Sequence, residues 1–225
     1  MKQALCLQHV PFEGPGVFRR ALANRRYRID TLLVPQRELP ATPPDFLLVM
    51  GGPMSVNDPD PWIEKELLFI RHAIEAGIPV LGVCLGSQFM AKALGGQVRP
   101  GPRLEIGPVP VTRTAEADAD AVFGTFPRDF TVFQWHGEGM TLPPGACALV
   151  SSEFYPVQAF RYGDRAYGLL FHLELELDGV EALCRECADD VQRAQTTTEA
   201  LVASAEHVLP DCHRLADRLI AHLAT

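Results

Sequence analysis

Residues 79–90 read PVLGVCLGSQFM. Within them, Gly82-Val83-Cys84-Leu85-Gly86 has the form of a nucleophile elbow, with a thiol where hydrolases often place a serine. Such an elbow turns the chain sharply from strand to helix and holds its central residue in a strained backbone geometry. Glycines two before and two after leave room for that close approach. Cys84 then stands at a helix N-terminus, where unpaired N–H groups and the helix dipole favour an anion. A thiol so placed can fall from a pKa of about 8.5 to roughly 3.5–7.5 when a cationic neighbour helps. The N–H of Leu85 would face a negative oxygen forming on the attacked carbon.

Two further segments could complete this chemistry. Tyr167–Glu174 reads YGLLFHLE, an apolar run followed by His172 and Glu174. Residues two apart on an extended chain point to one side. A carboxylate in that position can orient an imidazole and stabilise its charged form. Val49-Met-Gly-Gly-Pro53 places a Gly-Gly turn after a buried run, and its backbone N–H groups can meet an anion. Each segment also has a plainer reading. Glycines flank buried cysteines by chance. A histidine at a strand end, one of seven in the chain, is more often a satisfied structural group. Glu174 and Glu176 can belong to a solvated loop, and Gly51-Gly52 can be a tight strand exit.

The elements that would position these residues alternate between short apolar runs and helical periods. Ala4–Gln8, Arg28–Val34 and Phe46–Met50 read as strands, with a helix over 15–26. Continuous apolar runs of this kind point to strands covered on both faces, as in a helix-covered parallel sheet. Pro61 opens a long helix with an inward stripe of Ile63, Leu67, Ile70 and Ile74, and Gly77 stops it. Pro79–Val83 is the next buried strand, followed by a helix from about Gly86 to Leu94. The alternation predicts a layered α/β fold with right-handed crossovers. After Gly95 shorter strands are expected at Val109–Thr112, Phe130–Gln134, Ala148–Val150, Val157–Arg161 and Ala166–Phe171. Tyr162-Gly-Asp-Arg165 reads as a hairpin turn. From Asp178 onward the chain reads as helical, with a polar break at Gln195–Thr198 and a final stripe of Leu215, Leu219 and Leu223.

Composition narrows the classes. The chain has 225 residues, 47% of them apolar and 21% charged, with a formal charge of −8. That is ordinary globular composition, and one domain is the simplest reading. No cluster of Lys and Arg marks a nucleic-acid surface. No apolar run approaches the ~20 residues that span a bilayer. The first residues do not read as a secretory signal, and six scattered cysteines do not read as a disulfide framework. These features predict a reduced, cytoplasmic protein. Cys184 and Cys187 form one CxxC with no second pair to complete a zinc site. They fall on a helical stripe with Val180, Leu183 and Val191, which reads as packed core thiols.

Together GGP at 51–53, GVCLGSQ at 82–88 and FHLE at 171–174 resemble the class I glutamine amidotransferases. The likeness is greatest to the stand-alone branch similar to the glutaminase part of GMP synthase. QHVPFEGPG (8–16), ALGGQVRPGPRLEIG (93–107), FQWHGEGMTLPPGA (133–146) and PVQAFRYGDRAYGLLFH (156–172) carry it further. It covers about residues 3–174 of a single domain, with a helical tail over about 178–225.

This resemblance implies a flavodoxin-like three-layer fold with a mainly parallel or mixed sheet. It implies that Cys84 attacks the side-chain amide of glutamine, that His172 is general base and acid, and that Glu174 orients it. Gly52 and Leu85 would supply the oxyanion hole. Gln88 would help hold glutamine, and Gln134-Trp135-His136 would line the pocket mostly through backbone. No metal or organic cofactor is needed. Where the family usually has His-Pro-Glu, this chain has His172-Leu173-Glu174. No GxxxxGK[ST] phosphate loop occurs, so ammonia would pass to a separate synthetase partner. Alternatively the substrate is a γ-glutamyl peptide, or the fold serves as a non-catalytic binding module.

Overall fold

A computed structural model describes residues 1–225. Nine strands form one sheet: β1 (Lys2–Gln8), β2 (Tyr27–Leu33), β3 (Phe46–Val49), β4 (Val80–Val83), β5 (Val98–Arg113), β6 (Asp129–Met140), β7 (Cys147–Ser151), β8 (Ala159–Tyr162) and β9 (Ala166–Leu169). Six α-helices accompany them: α1 (Gly16–Ala23), α2 (Pro61–Glu75), α3 (Leu85–Ala93), α4 (Leu177–Glu186), α5 (Ala188–Arg193) and α6 (Thr198–Leu223). The strand order is β2-β1-β3-β4-β9-β8-β7-β5-β6. The first five in that order pair in parallel, and the remainder pair antiparallel.

The parallel half is buried on both sides because alternate residues of each strand enter different cores. In β1, Ala4 and Cys6 join one apolar cluster while Leu5 and Leu7 join the other. In β3, Phe46 and Leu48 divide in the same way from Leu47 and Val49. The first cluster is closed by α1, α4 and α6, and the second by α2 and α3. Period-two alternation of strand side chains thus becomes three layers.

The antiparallel half differs from the short strands expected of it. β5 runs for 16 residues and β6 for 12, and they pair from Val98–Met140 to Thr112–Asp129. A register shift between Pro100 and Glu105 interrupts them. Prolines at 100, 102, 108 and 110 remove ladder donors and are tolerated where a strand bulges or leaves a partner unpaired. The hairpin is formed as read: Tyr162 pairs with Ala166, with Gly163 at φ +58°.

The C-terminal region is helical, but the expected continuous stripe breaks at Cys187, where α4 ends and α5 begins. Cys184 is buried, while Cys187 is only partly so. Thr197 caps α6 by accepting from the N–H of Ala200 at 3.2 Å, and Leu215, Leu219 and Leu223 lie in the core. No helix is long and apolar enough to cross a membrane.

Candidate active site

β4 ends at Val83 and α3 begins at Leu85, so Cys84 alone makes the turn. It sits at φ +50°, ψ −112°, a backbone state that costs a non-glycine residue on the order of 1–3 kcal/mol. Packing enforces it. A Cβ on Gly82 would lie 2.6 Å from the carbonyl oxygen of Gly86, and one on Gly86 would lie 2.1 Å from that of Val49. A side chain at 82 would push α3 off β4, and one at 86 would push the elbow away from β3. The Cys84 N–H donates to Leu169 O at 2.7 Å, which ties the elbow to β9.

His172 and Glu174 lie just beyond β9. Nδ1 of His172 is 2.7 Å from Oε1 of Glu174, and both residues are buried. Three tethers hold this segment. His172 N–H donates to Phe133 O at 2.8 Å, and Val17 N–H donates to Glu174 O at 2.9 Å. His213 of α6 donates through Nε2 to Leu175 O at 2.7 Å. The last contact gives the C-terminal helix a part in positioning the acid. Leu173, between the two polar residues, points into the core and is fully buried.

Burial disfavours a charged imidazole at His172. The charge of Glu174, with its hydrogen bond to the ring, outweighs it and holds the imidazole well above its usual value. Cys84 and His172 follow the ends of neighbouring strands, because Val83 of β4 pairs with Leu169 of β9. The Cys84 Sγ currently lies 3.5 Å from Trp135 O, and His172 Nε2 closes no conventional hydrogen bond. Slack of this kind is usual before substrate arrives.

Cys84 opens on a cavity of about 470 Å³, whose walls include Gly52, Gln88, Trp135 and His136. Neither Gly52 N–H nor Leu85 N–H has a hydrogen-bond partner within the chain. Gln88 donates through Nε2 to Glu138 O at 3.3 Å. The side chain of Gln134 turns into the interior, which leaves only its backbone for the pocket. There it is fully buried, and Nε2 donates to Gln158 Oε1 at 2.8 Å. His136 borders the same network: its Nε2 lies 3.3 Å from Glu105 Oε2, the oxygen that accepts from Gln158 at 2.6 Å. Odd and even positions of β6 thus divide: Trp135 faces the α5 side, where its indole approaches Asp190 at 3.4 Å.

Several cavity residues had no signal in the sequence reading. Leu183, Cys187, Asp190 and Arg193 come from the helices after residue 176. Glu13 is the most consequential. It lies in the loop after β1, lines the cavity and is buried; burial, with the neighbouring Glu174, pushes its carboxyl up to about 7 against the pull of His172 and His9. Its Oε2 would stand 2.1 Å from a Cβ on Gly51, and Cys84 Cβ would stand 3.5 Å from the same point. The segment QHVPFEGPG contains Glu13, but no spacing rule ties it to a cysteine 71 positions away.

A thiol at a helix N-terminus, an imidazole beside it, a carboxylate behind the imidazole and two free N–H groups can together perform acyl transfer. The model of the family "Glutamine amidotransferase class-I" matches residues 17–183. The glutamine amidotransferase-like protein YfeJ of Salmonella typhimurium is 33% identical over 197 residues, 83% of this chain and 82% of that one. A GMP synthase [glutamine-hydrolyzing] of Thermomicrobium roseum is 39% identical over 134 residues, but the match spans only 24% of its length. Among solved structures, a glutamine amidotransferase from Thermotoga maritima superposes with a TM-score of 0.91 at 29% identity, covering 99% of this chain and 98% of that one. One from Methylobacillus flagellatus gives 0.90 at 29% identity, covering 99% and 94%. The three-layer sheet is the flavodoxin-like fold of these relatives, and this chain belongs to the class I glutamine amidotransferase family.

Proposed function

We propose that the protein hydrolyses the side-chain amide of glutamine through a γ-glutamyl thioester on Cys84. The observation that carries this reading is the strained Cys84 elbow beside a buried His172–Glu174 pair at 2.7 Å. The Cys84 thiolate adds to the amide carbon, and the carbonyl electrons move onto oxygen. The N–H groups of Gly52 and Leu85 bind that oxyanion; losing one such donor typically costs ~10²–10³ in rate. His172, held by Glu174, gives its proton to the departing nitrogen, which leaves as ammonia when the C–N bond breaks. Water then attacks the thioester as His172 takes its proton, and glutamate leaves with the thiolate restored. Gln88 and the Trp135–His136 backbone hold the substrate's glutamyl part. No step calls for a metal or organic cofactor. The ammonia acceptor is a separate protein, and residues 1–225 act as one glutaminase domain.

A second reading rests on the size of the cavity. About 470 Å³ lies in the range that takes drug-sized ligands, which leaves room for a leaving amine larger than ammonia. A γ-glutamyl peptide presents the same acyl group to Cys84. Ammonia release from glutamine is measured beside amine release from γ-glutamyl dipeptides, with intact-mass detection of the Cys84 acyl adduct. The proposal expects turnover of glutamine, abolished in Cys84→Ala. Preference for the dipeptides selects the second reading. No adduct with any donor would leave only a non-catalytic binding module.

A further inference from the structure

The dipeptide Gly51-Gly52 carries no side chain at either position, so its connecting peptide can rotate at little steric cost. That freedom matters because the N–H of this peptide belongs to Gly52, the proposed oxyanion donor. If the peptide turned over, the carbonyl of Gly51 would face the developing negative charge, and the N–H would be lost to it.

Two side chains outside the proposed catalytic set oppose such a turn. His9 follows β1 directly, and its Nδ1 lies 3.0 Å from Gly51 O. Its Nε2 lies 3.1 and 3.2 Å from the two oxygens of Glu66 on α2. Neither side chain has any solvent exposure. The ring stacks on Phe89 of α3 with centroids 5.4 Å apart and planes 2° from parallel. Trp62 approaches it from α2 with centroids 5.7 Å apart.

The chemistry of the acceptors sets the protonation. A carbonyl oxygen only accepts, so Nδ1 must carry a hydrogen. Nε2 then meets the Glu66 carboxylate with a proton between them, whether it resides on the ring or on the oxygen. Burial works against a charged His9, but the Glu66 charge and hydrogen bond outweigh it, helped by Gly51 O and Glu13. An unpaired carboxylate at this depth would be costly, and pairing with His9 offsets that.

We infer that His9 and Glu66 are positioning residues for the reaction, clamping the 51–52 peptide so that the Gly52 N–H faces the Cys84 cavity. The geometry follows from planarity. All peptides here are trans, so the C=O and N–H of one unit point in opposite directions. With Gly51 O held on His9, Gly52 N–H points away from His9. It has no partner in the chain, and Gly52 is part of the cavity wall. A purely structural tether would join β1 to α2 equally well through any acceptor. This one ends on the single carbonyl whose orientation governs the donor. The inference rests on the proposed role of Gly52.

The test uses two substitutions in the full chain that split the imidazole into its two nitrogens. His9→Asn places an amide nitrogen near the Nδ1 position, within reach of Gly51 O. His9→Gln places one near Nε2, within reach of Glu66 only. Turnover of glutamine, or of whichever γ-glutamyl donor the wild type uses, is measured per active site titrated with a glutamine-mimicking chloroketone. Misfolded material is thereby excluded. Alkylation of Cys84 by iodoacetamide, a displacement that forms no oxyanion, is followed in parallel. The clamp predicts that His9→Gln loses about 10²-fold or more in kcat, with KM within about threefold and alkylation unchanged. His9→Asn should recover at least tenfold of that loss.

His9→Gln outperforming His9→Asn, equal kcat in both, or alkylation falling in step with kcat would overturn the clamp. If the wild type itself turns over no γ-glutamyl donor, the assignment of Gly52 fails first and the clamp with it. Should His9→Gln yield no folded protein, the ratio of His9→Asn to His9→Leu gives the same reading. At least tenfold in favour of Asn supports the clamp, and parity overturns it.

Discussion

Val17 donates its backbone N–H to the carbonyl of Glu174 across 2.9 Å, so the first turn of α1 grips the segment that carries the acid. Gly16 makes this approach possible. It sits at φ +44°, and a Cβ there would lie 1.9 Å from Glu174 O. The hydrogen bond and the missing side chain together set how far Glu174 stands behind His172.

Gly16→Ala should therefore injure both stability and chemistry. The left-handed backbone alone costs alanine roughly 1–2 kcal/mol, and the clash must also be relieved by moving residue 174. We expect at least about 2 kcal/mol of destabilisation by urea titration. Misplacement by about 1 Å can cost 10²-fold in rate, so kcat of the folded fraction should fall by an order of magnitude or more. A folded variant with lower stability and wild-type kcat would show that the acid's position does not depend on this contact.

Glu174→Gln keeps the shape and removes the charge. Since the Glu174 charge is the main influence raising the His172 ring against burial, the imidazole should titrate at lower pH in the variant. Turnover should fall by roughly 10²–10⁴, as when the acid of a related triad is neutralised. Imidazole NMR against pH reads the first effect and steady-state kinetics the second. A ring that titrates unchanged would mean the 2.7 Å contact carries no charge coupling.

Leu173 occupies the place where the family usually has proline. Its side chain is fully buried in the core that α1, α4 and α6 close, and its N–H has no backbone partner. Loss of that side chain, more than loss of a donor, is what a change here would be felt through. Leu173→Ala should destabilise by about 2–5 kcal/mol while the folded enzyme keeps kcat within severalfold. Leu173→Pro should be destabilised similarly and gain no rate. A large rise in kcat for the proline variant would contradict this view of the position.

Glu13 should leave a signature in the pH dependence of stability. Burial raises its carboxyl from 4.5 to about 7 in the folded protein. A raised folded value favours the protonated form, so its stabilising effect is complete below about pH 4.5. That effect is lost as pH rises toward and through about 7. A gap of about 2.5 at 1.36 kcal/mol each gives on the order of 3 kcal/mol. Glu13→Gln should therefore gain stability over wild type from pH 5 to pH 8, and the difference should level off above that. A difference that stays constant across pH would exclude a buried, raised carboxyl at this position.

The elbow and the histidine-acid pair were legible because their causes are local. Gly82 and Gly86 each stand two positions from Cys84, and the contacts that exclude a Cβ act within that short turn or on the strand beside it. His172 and Glu174 share one side because an extended chain alternates. The parallel half of the sheet was legible for a similar reason: FLLV and VLGV are apolar at every position, or lack a side chain, because both faces are covered. The long β5–β6 pair was not legible. Its prolines argue against a strand, yet Pro108 and Pro110 pair along β6 in regular register, and the register shifts only between Pro100 and Glu105.

The sequence by itself determined which groups can react and the backbone each one needs, since propensity and close approach act over a few residues. Tertiary structure decided what surrounds them. Glu13 meets Gly51, His9 meets Glu66, Gln134 turns from the cavity to Gln158, and His213 reaches Leu175 from the last helix. These contacts join residues 24 to 57 positions apart. No periodicity encodes them, because they arise only when two apolar layers close on the sheet and leave each polar group whatever partner the packing brings.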